Sequence, residues 1–226
     1  MIMQRIFDIL FSVLALLVTL PLLIPILILL RLTKEGEVYF LQERVGRNGE
    51  IFYLYKFATM LKNSPNMDLG SVTVKNDPRI LPIGWFMHKT KINELPQLLN
   101  VLFGDMTLIG PRPLTVRNFR IYTENTQNVI VRVRPGLFGV GSIIFRDEEG
   151  ILDGAKSSLN FYDGFIAPYK GELEVWYVEN APLKLYFKAI LMTIYVIFNK
   201  KSTLPWVDFR GLTIPPPDIK EQLNFP

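Results

Sequence analysis

At 226 residues, the chain has room for one sizeable core plus a membrane element, and 49% hydrophobic residues at a mean hydropathy of +0.23 exclude a disordered chain. It has no cysteine and His88 is its only histidine, which excludes disulfides, thiolate metal sites and cysteine nucleophiles, agrees with a reducing cytosolic compartment and, with no G-x-S-x-G elbow, disfavours serine hydrolase chemistry. The net charge of +4 suits anionic lipid or phosphate partners without requiring nucleic acid.

In chain order, residues 9–30 form an uncharged run long enough to span a bilayer as a helix, and too long for a cleaved signal peptide. The rest of the chain has ordinary composition, which disfavours a polytopic transporter. Pro21 and Pro25 each remove a backbone donor and favour a kink. Arg5 precedes the run and Arg31 and Lys34 follow it, so charge bias sets no orientation. A re-entrant hairpin explains both features, with a single-span anchor as the alternative. Asp8 is costly in lipid and needs a partner, either Arg5 or a residue of the later domain.

From Glu37 the composition turns polar, and VYFLQERVG and IFYLYKFATM read as two strands joined at Gly46, Asn48 and Gly49. Arg44 and Lys56 lie on these strands. Each is either a solvated face or a phosphate contact, and the apolar flanks of Lys56 favour an anionic partner. Residues 63–78 read as a mobile loop over a site.

The segment from His88 to Pro113 is the centre of the chain. Asn93 sits where an N-cap should sit, Pro96 falls in a first turn and Gly104 at a C′ position, so a helix of roughly ten residues is expected to open at Glu94. Its first-turn N–H groups and the Glu94 carboxylate suit phosphate and Mg2+; the alternative is a plain capped helix with a surface glutamate. Asp105 follows the glycine. Gly110-Pro111-Arg112-Pro113 holds an arginine between residues of fixed φ, which suits a phosphate clamp as well as a structural turn, and Arg134-Pro135-Gly136 is a second stiffened turn.

Asp147, Glu148, Glu149 and Asp153 mark residues 145–154 as a solvated acidic loop or as carboxylates that assist a metal. Lys184 to Phe198 reads as an interfacial helix, with a buried core helix as the alternative. The tail after Pro205, with Pro215 to Pro217, is expected to be extended. No aromatic platforms interleave the basic segment, so nucleic acid is not an expected partner.

Several of these stretches resemble the bacterial sugar transferase family, specifically the small monotopic phosphoglycosyl transferases, over roughly residues 4 to 200. The resemblance rests on Arg5 and Asp8 before the apolar run, QERVGRNG at 42–49, YKFATM at 55–60, DPRI at 77–80, KTKINELPQLLNVLFGDM at 89–106, IGPRPL at 109–114 and RPGLFG at 134–139. It implies a re-entrant helix and a cytosolic catalytic domain on the inner leaflet of the bacterial cytoplasmic membrane. It also implies transfer of a sugar 1-phosphate from a UDP-sugar to polyprenol (undecaprenyl) phosphate, with Mg2+ and release of UMP, as the first membrane step of glycan assembly. Such members use an acidic dyad, an aspartate that takes the phosphosugar and a glutamate that binds the metal. Glu94 matches the glutamate, while Asn93 stands in place of the aspartate, and an amide is a poor nucleophile. Further departures are His88 and Ala58 for arginines, Leu20 for the serine before Pro21, Glu174 for an aspartate in ELEVWYVEN, and a longer segment from Gly141 to Leu173.

The expected architecture is therefore α+β: a re-entrant or spanning membrane helix over 1–34, a cytosolic α/β domain with a short sheet and membrane-surface helices over 35–204, and an extended tail over 205–226. The expected site uses Asn93, Glu94 and Asp105 for catalysis, Glu94 for Mg2+, and Lys56, Arg44, Pro111, Arg112, Arg134, Pro135 and Gly136 for substrate. Arg5, Asp8, Thr19 and Pro21 are the expected lipid-binding or membrane residues, with the Thr19 hydroxyl near the helix break. Without the dyad aspartate the routes are direct attack by polyprenol phosphate, a surrogate carboxylate at Asp105 or among Asp147 to Glu149, or no catalysis. The last would leave an impaired homologue that binds lipid phosphate or scaffolds a partner glycosyltransferase. A second copy of the chain and downstream glycosyltransferases are further candidate partners.

Overall fold

The uncharged run of Leu, Ile and Val after Asp8 folds as one helix, α1, Ile2–Arg31. The computed structural model describes every residue except Met1, Lys34, residues 64–78 and 154–157, Ala181 and Lys200. The loop expected at 63–78 therefore lies, from residue 64 on, outside the described residues. Only 17% of the most apolar stretch of α1 is buried, which separates it from the core helix of a water-soluble protein. At about 1.5 Å per residue it is long enough to cross the ~30 Å hydrocarbon core of a bilayer. The helix runs through Pro21 and Pro25 without a loop, so a re-entrant path would have to come from bending at the prolines. The Thr19 hydroxyl donates to Ala15 O at 2.7 Å within its own helix, which is where the expected free hydroxyl is spent.

The chain forms two units. One comprises residues 9–42 and 53–103. Leu23, Ile26 and Leu30 fall on one stripe of α1 and pack with Phe57 and Met87. Strands β1, Tyr39–Val45, and β2, Ile51–Phe57, pair as expected around a tight turn in which Asn48 and Gly49 take positive φ. Helix α2, Pro82–Thr90, ends at Lys91, whose φ of 58° is left-handed. A 3-10 turn, Ile92–Glu94, and helix α3, Gln97–Phe103, follow. The Asn100 side chain accepts from Tyr55 N at 2.9 Å and donates to Tyr53 O at 2.8 Å, satisfying backbone groups of β2.

This corrects the helix expected from Glu94. The N–H groups of Glu94 and Leu95 bond three residues back, to Lys91 O and Ile92 O at 3.1 Å each, so the α-helix begins only after Pro96. Asn93 caps nothing and is buried inside the 3-10 turn. Gly104 does end the helix, with φ of 97°.

The other unit comprises residues 1–8, 43–52 and 104–226. Strand β3, Thr107–Ile109, pairs in parallel with β4, Gly136–Phe138, in the register Thr107↔Gly136 and Ile109↔Phe138. Short helices α4, Val116–Ile121, and α5, Glu124–Ile130, lie between them, and each is capped by a threonine hydroxyl, Thr115 and Thr123. After β4 come α6, Val140–Ile144, α7, Glu148–Asp153, and α8, Ser158–Phe161, then α9, Ala167–Glu179, and α10, Leu183–Phe198. The acidic stretch expected as a loop is thus largely the helix α7. Asp8, 2% exposed, accepts on one oxygen from Tyr186 Oη at 2.8 Å, Leu108 N at 2.9 Å and Thr107 Oγ1 at 3.0 Å. The partner demanded by its burial comes from the later domain.

Helix α10 buries Leu185, Tyr186, Ala189, Met192 and Val196, while Leu191, Ile197 and Phe198 are exposed, so it is apolar on both faces. The tail is not extended. It forms α11, Leu204–Asp208, and α12, Pro217–Lys220, and buries Phe209, Ile219 and Leu223, apolar positions too widely spaced to show a helical period.

Among the glycines of this unit the tightest backbone approach is at Gly136, where an added Cβ would run into Gly110 N. Gly136→Ala is expected to cost about 3 kcal/mol or more by forcing β3 and β4 apart; a thermal midpoint unchanged in detergent would count against this packing.

Candidate functional site

Two proline-stiffened turns form one wall in the unit of residues 1–8, 43–52 and 104–226. Thr107 N donates to Pro135 O at 2.9 Å, Gly136 N to Pro111 O at 2.7 Å and Gly110 N to Phe138 O at 2.9 Å. Pro111, Pro135 and Gly136 are buried by this stitching, and Arg112 is left exposed at its edge. Arg44 Nη1 donates to Pro113 O at 3.0 Å, tying β1 to the same turn. Val45, Gly46, Pro111, Arg112 and Pro135 line a shallow groove there. Of the residues expected to bind substrate, the structure thereby brings together Arg44, Pro111, Arg112, Pro135 and Gly136.

A second cavity of this unit is lined by Gln4, Arg5, Asp8, Thr107, Arg134 and Tyr177, among others. Arg134 Nε donates to Gly104 O at 2.6 Å, and Arg5 Nη2 lies 3.5 Å from where a Gly104 Cβ would stand, so both guanidinium groups converge on this glycine. Gln4 Nε2 donates to Thr107 Oγ1 at 3.0 Å. Arg5 and Asp8, expected at the lipid, and Arg134, expected at the substrate, therefore share one cavity. Asp105 is half-buried directly after Gly104.

The unit of residues 9–42 and 53–103 carries the remaining predicted positions. Asn93 and Glu94 share the 3-10 turn. Asn93 is 4% exposed, and its Oδ1 has no hydrogen-bond partner among the described residues. Glu94 and Lys56 are half-buried, Lys56 on β2. His88 Nε2 lies 2.8 Å from the Thr59 hydroxyl. Thr19 and Pro21 are in the membrane helix.

Sequence reasoning noted Glu174 only as a departure, yet it is the most perturbed carboxylate of the first wall. It is 2% exposed on α9, and burial pushes its pKa up to about 7 against the opposing pull of Lys170 and of the backbone N–H groups of Arg112 and Gly141. Lys170, one turn earlier, is held below the usual lysine value by burial, although its Nζ lies 2.6 Å from Glu148 Oε2. Burial likewise pushes the Tyr162 phenol up to about 12. The available signal was an acid set between Leu173 and the apolar run Val175 to Val178 in ELEVWYVEN.

Among the described residues no group of three or more His, Asp or Glu gathers as a metal cage. Mg2+ commonly binds through one or two carboxylates with water and substrate phosphates completing its shell, and the half-buried Glu94 carboxylate is chemically of the kind that ion takes.

The sequence model of the family described as bacterial sugar transferase matches residues 1–200. A UDP-glucose:undecaprenyl-phosphate glucose-1-phosphate transferase of Klebsiella pneumoniae is 32% identical over 89% of this chain and 41% of its own length. A sugar transferase of Bacillus subtilis is 33% identical over 86% of each chain. An undecaprenyl-phosphate galactose phosphotransferase of Salmonella typhimurium is 34% identical over 65% of this chain and 33% of its own length. The chain thus spans less than half of two of these relatives.

A carboxyl with a raised folded pKa binds its proton more tightly folded than unfolded, so its stability contribution is full below pH 4.5 and falls as pH rises to about 7. Relative to Glu174→Gln, the native chain is expected to lose up to ~3 kcal/mol across that window. Thermal midpoints of both chains at pH 5 and pH 8 measure it, and parallel profiles would refute it.

Proposed function

Because the chain belongs to the bacterial sugar transferase family, we propose that it transfers a sugar 1-phosphate from a UDP-sugar to polyprenol phosphate, releasing UMP, at the cytosolic face of the bacterial inner membrane. The single observation that carries this reading is the rigid turn pair that presents Arg112. Both flanking prolines fix φ, and Gly136 fixes the turn from behind, so little entropy is lost when the guanidinium engages a phosphate. Relatives named for phosphosugar transfer to undecaprenyl phosphate support the same chemistry.

Arg112 and Arg44 take the donor side in this reading, where negative charge grows on the departing UMP. In the unit of residues 9–42 and 53–103, Lys56 is a cation suited to a substrate phosphate, and Glu94 would hold Mg2+, which would neutralise phosphate charge. Arg5 and Arg134 supply positive charge for the acceptor phosphate in a cavity at the start of the membrane helix, while the Asp8 carboxylate is occupied by Tyr186, Leu108 and Thr107.

Asn93 carries no nucleophile and is buried, so the favoured route is direct displacement. An oxygen of polyprenol phosphate forms a bond to the β-phosphorus of the UDP-sugar as the bond from that phosphorus to the bridging oxygen breaks. The electron pair leaves on UMP. Asp105 is the surrogate carboxylate to test if an adduct forms. The same Asn93 supports a second reading, a silent homologue that binds lipid phosphate or scaffolds a glycosyltransferase.

UMP release is expected only with polyprenol phosphate, a UDP-sugar and Mg2+ together, with no phosphosugar adduct by mass, and Glu94→Gln should lower it about a hundredfold. No UMP across a panel of UDP-sugars would sink the transferase, and activity that appears only in Asn93→Asp would establish the second reading. For topology we favour a re-entrant path. In this cysteine-free chain, Met3→Cys and Glu35→Cys should both label from the cytosolic side; labelling from opposite sides would establish a spanning helix.

A further inference from the structure

Helix α9 buries two ionisable side chains one turn apart, Lys170 at 5% exposure and Glu174 at 2%. Lys170 is accounted for by Glu148 on α7 at 2.6 Å and by the Phe145 ring, whose centroid is 5.3 Å away. Glu174 needs a different explanation. Packing alone would be served as well by an apolar residue, because a buried carboxylate carries a desolvation penalty that a hydrophobic side chain avoids.

What a carboxylate adds is hydrogen-bond acceptors where the strand ladder stops. Strands β3 and β4 end at Ile109 and Phe138, and the chain beyond them still presents buried N–H groups that need partners. Glu174 faces the backbone N–H groups of Arg112 after one strand and of Gly141 after the other, and because its Oε2 has no hydrogen-bond partner among the described residues, Oε1 is the accepting atom. The fit is close enough to require glycine. A Cβ on Gly139 would lie 3.0 Å from Glu174 Oε1 and 2.6 Å from Gly110 O, and a Cβ on Gly141 would lie 2.6 Å from Oε1. Lys170 and Arg112 face the carboxylate as cations, and Tyr122 and Tyr177 complete its surroundings.

We propose that Glu174 is a positioning residue for Arg112: from α9 its carboxylate fixes the main chain of the Gly110–Pro113 turn, and with it the point from which the guanidinium reaches a substrate phosphate. This deepens the transferase reading and rests on it for the role of Arg112. Glu174 itself touches no reacting atom.

Hydrogen exchange reads the positioning directly, whether or not sugar phosphate is transferred. In the full chain, Glu174→Gln keeps an acceptor oxygen but loses the negative charge that strengthens its bonds to N–H donors, and exchange at the Arg112 and Gly141 amides is expected to rise about tenfold while β2 is unchanged. Glu174→Asp keeps the carboxylate and is expected to stay within about threefold of native exchange. Unchanged exchange in Glu174→Gln, or equal acceleration throughout the chain, overturns the proposal. The functional arm is a double-mutant cycle on UMP release. Glu174→Gln should lower kcat/KM about tenfold in the native chain but less than about twofold in an Arg112→Ala background. Equal losses in both backgrounds overturn the route through Arg112. Absence of UMP release from the native chain counts against the transferase reading alone, and the exchange result then decides the positioning of the turn.

Discussion

The contact on which the unit of residues 1–8, 43–52 and 104–226 depends is the backbone-to-backbone approach of Gly110 and Gly136. No side chain fits between them, so the two turns meet through N–H and C=O groups, and the prolines on either side remove most of the remaining backbone freedom. A parallel pair of three-residue strands would be marginal by itself. It persists here because its first strand also holds the buried Asp8 at the foot of the membrane helix, and because α9 backs the turns that follow both strands. Each of these bonds satisfies a buried polar group that would otherwise be left without a partner.

Charge is distributed accordingly. The cations expected to meet phosphate stand at the edges of this framework, Arg112 exposed and Arg134 half-buried, while the carboxylates Asp8 and Glu174 lie inside and accept hydrogen bonds from the main chain. Buried carboxylates of this kind add little net stability, but they are directional in a way that apolar packing is not. One oxygen of Glu174, Oε2, is without a hydrogen-bond partner among the described residues, and in the unit of residues 9–42 and 53–103 Asn93 is a buried amide whose oxygen likewise has none. An unsatisfied polar atom of that kind is costly, and it marks the 3-10 turn shared with Glu94 as a place where stability is not the only constraint.

Much of this was legible from local chemistry. The apolar run, the hairpin at Asn48 and Gly49, the helix end at Gly104 and the two proline-flanked arginines all follow from rules that act within a few residues. The helix start was misread for an equally local reason. Asn93 has the composition of an N-cap, but the left-handed Lys91 and the 3-10 bonds that follow it claim the turn first, and the α-helix waits until Pro96 has passed. The tail was misread because Phe209, Ile219 and Leu223 become a buried set only through contacts that short, widely spaced helices make with the rest of the chain.

By itself the sequence determined the long apolar N-terminal helix, the α+β character, the family and the identity of the arginine turns, because length, proline, glycine and motif order are one-dimensional properties. Only the tertiary structure decided that Asp8 pairs with Tyr186 and β3, that Arg5 and Arg134 share a cavity, and that Glu174 accepts from the backbone of Arg112. Those pairings join residues far apart in the chain, where burial in a medium of low polarity makes each hydrogen bond obligatory and no local pattern announces the partner.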